Sequence, residues 1–160
     1  VQTFDQVVRI RFADRDGNIV SRTPGEIEVR YRDVPVLRDH YALSATLRGT
    51  PAPVDAIDGL LGSSFRHRKE TQPAAASAGC IFKNPGGLSA GRLVEELGLK
   101  NSSVGAARIS EIHGNFIVND GGATASEVLA LIERVRARAR CERGIELETE
   151  VAIIGVDPAE

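Results

Sequence analysis

The sequence predicts an α+β fold, and three observations carry that prediction. Short apolar runs separated by Asp16-Gly17 and Pro24-Gly25 fill the first 50 residues. A capped helix pattern with one apolar face follows at 124–143. Alternating glutamates at 146, 148 and 150 lead into an apolar ending. No internal repeat is present.

The elements follow in order. Val7 to Phe12 is expected as a strand, Ala13 to Gly17 as a turn and Asn18 to Val20 as the start of a return strand, because glycine accepts the positive φ of a hairpin turn. Glu26 to Tyr31 alternates and fits either a strand or a short helix-to-strand transition. Tyr41 to Leu47 is the next strand, closed by Gly49, Pro51 and Pro53. Val54 to Leu61 has helical spacing that Ser63 to Gln72 extends, and a modest domain boundary is expected within 62–76. Ser89 caps a helix to about Leu97, with Gly98 as its stop. Strands are expected at 104–109 and 115–118. Thr124 and Glu127 form a capping box, and Val128, Leu131, Ile132 and Val135 follow at i, i+3, i+4 and i+7. Arg134, Arg136, Arg138 and Arg140 then complement the helix dipole on what is expected to be a solvated face. Gly144 ends the helix, and Val151 to Ile154 is expected as a final buried strand.

Composition narrows the function classes. At 160 residues, 42% hydrophobic and 26% charged, the chain resembles ordinary soluble globular proteins. A net charge of −2 gives no nucleic-acid footprint. No apolar run is long enough to cross a bilayer, and no signal-peptide pattern opens the chain. Two cysteines, Cys80 and Cys141, make no disulfide framework, so a reducing cytoplasm is the simplest compartment. Cys141, among arginines near a helix end, is expected to be incidental. No metal-spaced His/Cys cluster exists. The opening Val1-Gln2-Thr3-Phe4 lacks an initiator Met and is expected of a piece of a longer protein.

Chemistry concentrates in Ser77-Ala78-Gly79-Cys80-Ile81-Phe82-Lys83-Asn84-Pro85-Gly86-Gly87. Small residues here let backbone approach a ligand. Between them stand a thiol able to donate a proton, a cation suited to phosphate and a carboxamide suited to a polar edge. Two further segments lie downstream, Ile109-Ser110-Glu111-Ile112-His113-Gly114-Asn115-Phe116 and Leu147-Glu148-Thr149-Glu150-Val151. Together, in this order, they resemble the C-terminal half of the UDP-N-acetylenolpyruvoylglucosamine reductases, flavoenzymes of peptidoglycan precursor synthesis. The resemblance is strong over roughly 65–155 and weaker over 5–50. The short interval from Arg32 to Cys80 matches the compact subtype of that family.

The resemblance implies roles, each beside a plainer reading. Cys80 stands where the family motif Ser-Ala-Gly-Ser-x-Phe-Lys-Asn-Pro has its proton-donating second serine; by itself a free cysteine is most often a small buried hydrophobe. A thiol, with a reference pKa of about 8.5, is a stronger acid than an alcohol and preserves the donor role. Glu150 takes the catalytic position of the Leu-Glu-x-Glu-Val ending, where a desolvated neutral acid would stabilise an enol-like intermediate. On a strand Glu146, Glu148 and Glu150 would share one face, and a solvent-facing carboxylate edge is the alternative. Arg32 matches the arginine of the family's Tyr-Arg pair, which binds the substrate carboxylate by charge-assisted bonds. Val34 stands where the family usually has serine, and a plain surface arginine is the alternative. Arg68, Lys69, Gln72 and Pro73 resemble an Arg-Arg-x-x-Gln-Pro approach that contacts the UDP-diphosphate or sugar; solvated charges at a helix end are the other reading. Lys83 and Asn84 fit the Lys-Asn-Pro triplet, with Asn84 the better substrate contact. His113 fits the Ser-x-x-His-x-Asn-Phe segment as a structural histidine.

In these terms residues 1–61 are expected as the C-terminal remnant of an FAD-binding α+β domain, 62–76 as a linker and 77–160 as the substrate-binding domain. The family's glycine-rich flavin loops have no counterpart here. The implied activity is NADPH- and FAD-dependent reduction of UDP-N-acetylglucosamine enolpyruvate to UDP-N-acetylmuramate, in the cytoplasm, with this chain inactive by itself and completed by a flavin-binding N-terminal half. No nucleic-acid or membrane partner is expected. Two rivals are a UDP-sugar-binding module without redox activity and a thiol enzyme pairing Cys80 with His113.

Overall fold

A computed structural model describes residues 3–155, and the chain divides into two units, Val1–Ile57 and Asp58–Glu160. Each is α+β or β in its own right, and the whole chain has the mixed character the sequence predicts.

The first unit is an antiparallel three-stranded sheet of order β2-β1-β3, from β1 (Val7–Ala13), β2 (Ile19–Arg22) and β3 (Tyr41–Leu47). The hairpin turns on Asp14, whose Oδ1 accepts from the backbone N–H groups of Asp16 and Asn18 at 2.9 and 2.8 Å, while Gly17 takes φ +84°. Its core is thin. Phe12 and Ile27 are buried, with His40 against the Phe12 ring edge, whereas β3 is exposed along its whole length. The alternating stretch 26–31 forms no named strand; it leaves a 3-10 turn at Pro24–Glu26 and enters a tight turn at Arg30–Asp33.

Helix α1 (Val54–Thr71) runs through the whole segment of helical spacing, so residues 62–71 are helical. The division between units falls inside it, between Ile57 and Asp58.

The second unit holds the larger core. Its sheet has the order β4-β7-β6-β5, all neighbours antiparallel, from β4 (Ser77–Cys80), β5 (Ser103–Val104), β6 (Ala107–Ile109) and β7 (Phe116–Asn119). The expected strand at 104–109 is instead a hairpin, because Gly105 turns the chain at φ +54°. Helices α2 (Ala90–Glu96) and α3 (Ala125–Arg143) contribute Ala90, Leu93, Val94, Leu131, Ile132, Val135 and Ala139 to a core that also contains Ile81, Phe82, Ile109 and Leu147. The caps are those the sequence indicates. Ser89 Oγ accepts from Arg92 N–H, Thr124 and Glu127 close a capping box, and Gly144 ends α3 in the left-handed region. The arginines of α3 are more engaged than a solvated face requires: Arg134 donates to the Ser103 carbonyl and Arg138 to the Leu97 carbonyl.

One element differs outright. Val151 to Ile154 forms no strand and is not buried; Ile153 and Ile154 are 63% and 91% exposed. The pairing reaches only the isolated bridge between Phe82 and Thr149, after which the chain bends at Glu150 and Val151.

Candidate functional site

The sequence-indicated residues fall into three clusters. In the first unit, Tyr31 and Arg32 occupy the two central positions of a tight turn closed by Arg30 N–H to Asp33 O (2.8 Å) and Asp33 N–H to Arg30 O (3.2 Å). Arg32 has φ +57°, a left-handed conformation that strains a non-glycine residue. Its guanidinium lies 5.7 Å from the Tyr31 ring centroid, and both residues line an open recess of about 900 Å³ with Phe4, Val29, Val34 and Leu37.

The second cluster lies in the second unit around Cys80. Strand β4 pairs with β7 at Ser77–Val118 and Cys80–Phe116, so three steps on one strand oppose two on the other. This is a bulge, and Gly79 provides its positive φ of +83°. It re-aims the chain immediately before Cys80, which is half-buried. Downstream, Ile81 N–H donates to the Asn115 carbonyl at 2.9 Å. On the opposite edge Lys83 N–H donates to Glu148 O at 2.9 Å and Glu150 N–H donates to Ile81 O at 2.7 Å. The backbone of Glu150 is thereby fixed one residue from Cys80, although 70 positions separate the two in the chain.

The three alternating glutamates have different fates. Glu146 is paired with Arg140, and Glu148 with Lys83 at 3.1 Å. Glu150 is half-buried. Lys83 therefore holds a carboxylate of its own chain. Asn84 Oδ1 accepts from Ala90 N–H at 3.0 Å, bridging the Pro85–Gly87 turn to the start of α2.

The third cluster is a recess of about 280 Å³ at the end of α1, lined by Phe65, Arg68, Lys69, Gln72, Pro73 and Ala74. Arg68, Lys69 and Gln72 share a helix face by their i, i+1, i+4 spacing, and Arg68 Nε lies 3.4 Å from Gln72 Oε1. Two cations beside a concavity suit a diphosphate.

The segment 110–116 is built as a support. Ser110 Oγ accepts from Ile112 N–H, and His113 Nδ1 accepts from Asn115 N–H at 3.1 Å, with the imidazole edge-on to Phe116. Burial first, and the Lys100 ammonium second, lower the pKa of His113. Its Nδ1 lone pair is engaged, which disfavours the reading of His113 as a base for Cys80. Asn115 matches the Ser-x-x-His-x-Asn-Phe segment, but motif reading gave it no role. It is 3% exposed, accepts from Phe82 N–H at 2.9 Å and donates to Phe82 O at 2.8 Å. A buried carboxamide with both ends bonded to one distant residue has no counterpart in sequence spacing.

Among the described residues no group of three or more His, Cys, Asp or Glu could hold a metal, and no helix is long and apolar enough to cross a membrane. A flavin diphosphate needs free backbone N–H groups at a glycine-rich loop. After the glycine-rich turn at 85–87, the N–H groups of Ala90 and Arg92 are taken by Asn84 and Ser89.

Residues 72–154 match the C-terminal domain of UDP-N-acetylenolpyruvoylglucosamine reductase. The chain belongs to that family. It is 42% identical to the UDP-N-acetylenolpyruvoylglucosamine reductase of Legionella pneumophila strain Paris, over 96% of this chain and 52% of the relative. It is 43% identical to reductase 2 of Symbiobacterium thermophilum, over 89% of the chain and 47% of the relative. The crystal structure of the UDP-N-acetylenolpyruvylglucosamine reductase from Thermus caldophilus superimposes with a TM-score of 0.80 at 39% identity, covering 92% of this chain and 52% of that one. The chain spans about half the length of the curated relatives it matches.

Proposed function

We propose that the protein carrying this chain is an FAD- and NADPH-dependent reductase of the cytoplasm that converts UDP-N-acetylglucosamine enolpyruvate to UDP-N-acetylmuramate. The observation that carries this reading is the junction at Ile81. A bulge presents Cys80, and a hydrogen bond from Glu150 N–H ties the backbone of Glu150 to the residue after Cys80. A flavin, held by residues outside this chain, would supply the hydride for C3 of the enolpyruvyl group, and the residues of this chain act on the substrate. Arg32 binds the carboxylate from a strained turn, with its guanidinium 5.7 Å from the Tyr31 ring centroid. Glu150 stabilises the enolate as charge develops on it. Cys80 gives its proton to C2, leaving a thiolate that solvent reprotonates, so the double bond is saturated by one hydride and one proton. Arg68, Lys69 and Gln72 take the diphosphate, with Asn84 and Lys83 on the sugar side. This division makes residues 1–61 the end of a flavin domain and 77–160 the substrate domain, and leaves the isolated chain inactive.

The test is stoichiometric. The longer protein should oxidise one NADPH for each UDP-N-acetylmuramate formed from the enolpyruvyl substrate. No substrate-dependent NADPH oxidation would refute the proposal.

A second reading is a UDP-sugar-binding module without redox activity, which two cations beside the recess at the end of α1 also fit. Calorimetric titration of the purified chain with UDP-N-acetylglucosamine derivatives and with FAD separates the two. Sugar binding by a longer protein that never retains flavin supports the module.

A further inference from the structure

We propose that Asn115 is a positioning residue that fixes Cys80 and Glu150 relative to one another through the backbone of Phe82, and the proposal rests on the roles given to Cys80 and Glu150 above. Strand β7 begins at Phe116, so its backbone stops pairing with the β4 strand line at Asn115. Beyond that point the Asn115 side chain continues the ladder. Its carboxamide meets Phe82 as a peptide group of a neighbouring strand would, accepting from N–H and donating to C=O. On the other edge, Ile81 O and Lys83 N–H are held by the 148–150 segment. Phe82 thus lies between the Asn115 side chain and the isolated bridge to Thr149, with Cys80 two residues before it and Glu150 bonded to the residue between.

The clamp is stiff for physical reasons. Phe82 is 2% exposed and Asn115 3%, so neither partner can turn to water. His113 Nδ1 holds the Asn115 N–H from behind, and Ser110 holds the His113 loop. A backbone group left unsatisfied in such a place must move to find a partner. Movement of the 80–83 segment shifts the thiol and the carboxylate against each other. Displacement near 1 Å at a reacting centre costs about 100-fold in rate.

The experiment uses the longer protein and two substitutions. Asn115→Asp keeps the acceptor for Phe82 N–H but sets an oxygen against the Phe82 carbonyl; Asn115→Ser shortens the bridge and serves should the aspartate fail to fold. In either variant kcat for the enolpyruvyl substrate should fall about 10- to 100-fold, with KM changed less than about twofold. NADPH-dependent bleaching of the flavin should keep its parental rate. Equal loss in both half-reactions, or a loss confined to KM, overturns the positioning role. Cys80→Ala is measured alongside. Unimpaired substrate turnover in Cys80→Ala sinks the underlying reading. Impaired turnover there with a parental Asn115→Asp sinks the positioning role alone.

Discussion

Arg32 sits at φ +57° in a two-residue turn, where a glycine would be unstrained. A strained conformation of this kind costs of order 1–3 kcal/mol and marks sites where presentation of a side chain matters. Arg32→Gly should therefore melt no lower than the parent while substrate turnover falls about 100-fold, the scale of one lost donor to developing charge. A lower melting temperature with turnover intact would make Arg32 a structural residue. His113 makes a prediction of opposite character. Burial depresses its pKa, so the unfolded chain binds the proton more readily than the folded one. Its contribution to stability is intact above the ordinary imidazole value of about 6.5 and is lost as pH falls through the lowered folded value. Thermal melts from pH 7.5 to 5 should show this acid loss in the parent and a flatter profile in His113→Gln; equal slopes would contradict it. At this scale the sequence was legible where a local signal fixes a conformation, as for the Thr124–Glu127 capping box and the Gly144 stop. The Ser-x-x-His-x-Asn-Phe segment includes Asn115 but not its partner, a backbone group 33 positions away.

Between elements, α2 and the 110–116 loop meet at two glycines. A Cβ on Gly114 would lie 2.4 Å from the Gly91 carbonyl oxygen, and one on Gly91 would lie 2.7 Å from His113 Cε1. Backbone cannot retreat as a flexible side chain can. Gly114→Ala should thus cost about 1–3 kcal/mol, read as a lower denaturant midpoint at unchanged slope. A parental midpoint would mean that the two segments separate without cost. Local signals placed α2, α3 and β1–β3 because caps, turns and apolar periodicity are written in neighbouring residues. They failed where pairing decides the outcome. Val151 to Ile154 has strand composition, but its partner line ends at the Gly79 bulge, and the chain bends before it can pair. Gly105 divided an expected strand because its turn is fixed partly by Glu127, which caps its own helix at Thr124 N–H and also holds Ala106 N–H from 21 residues away.

Across the whole chain, buried apolar mass is unevenly shared. The second unit's core holds fifteen residues, whereas the first unit buries Phe12 and Ile27 among its described hydrophobic residues. Burial supplies the main stabilising free energy, so the two units differ in resistance to opening. Hydrogen exchange should show β6, β7 and α3 protected far longer than β1–β3 in the purified chain, and uniform protection would contradict that division. The same unevenness agrees with a chain that covers about half of its relatives' length.

The shared role of Cys80 and Glu150 is tested most directly by rapid mixing of the longer protein with Cys80→Ala. Reduction of the flavin by NADPH should proceed at the parental rate, while its reoxidation by the enolpyruvyl substrate slows about 10²- to 10⁴-fold, the usual contribution of a positioned general acid. Reoxidation at the parental rate, or equal slowing of both steps, would contradict proton delivery from this thiol.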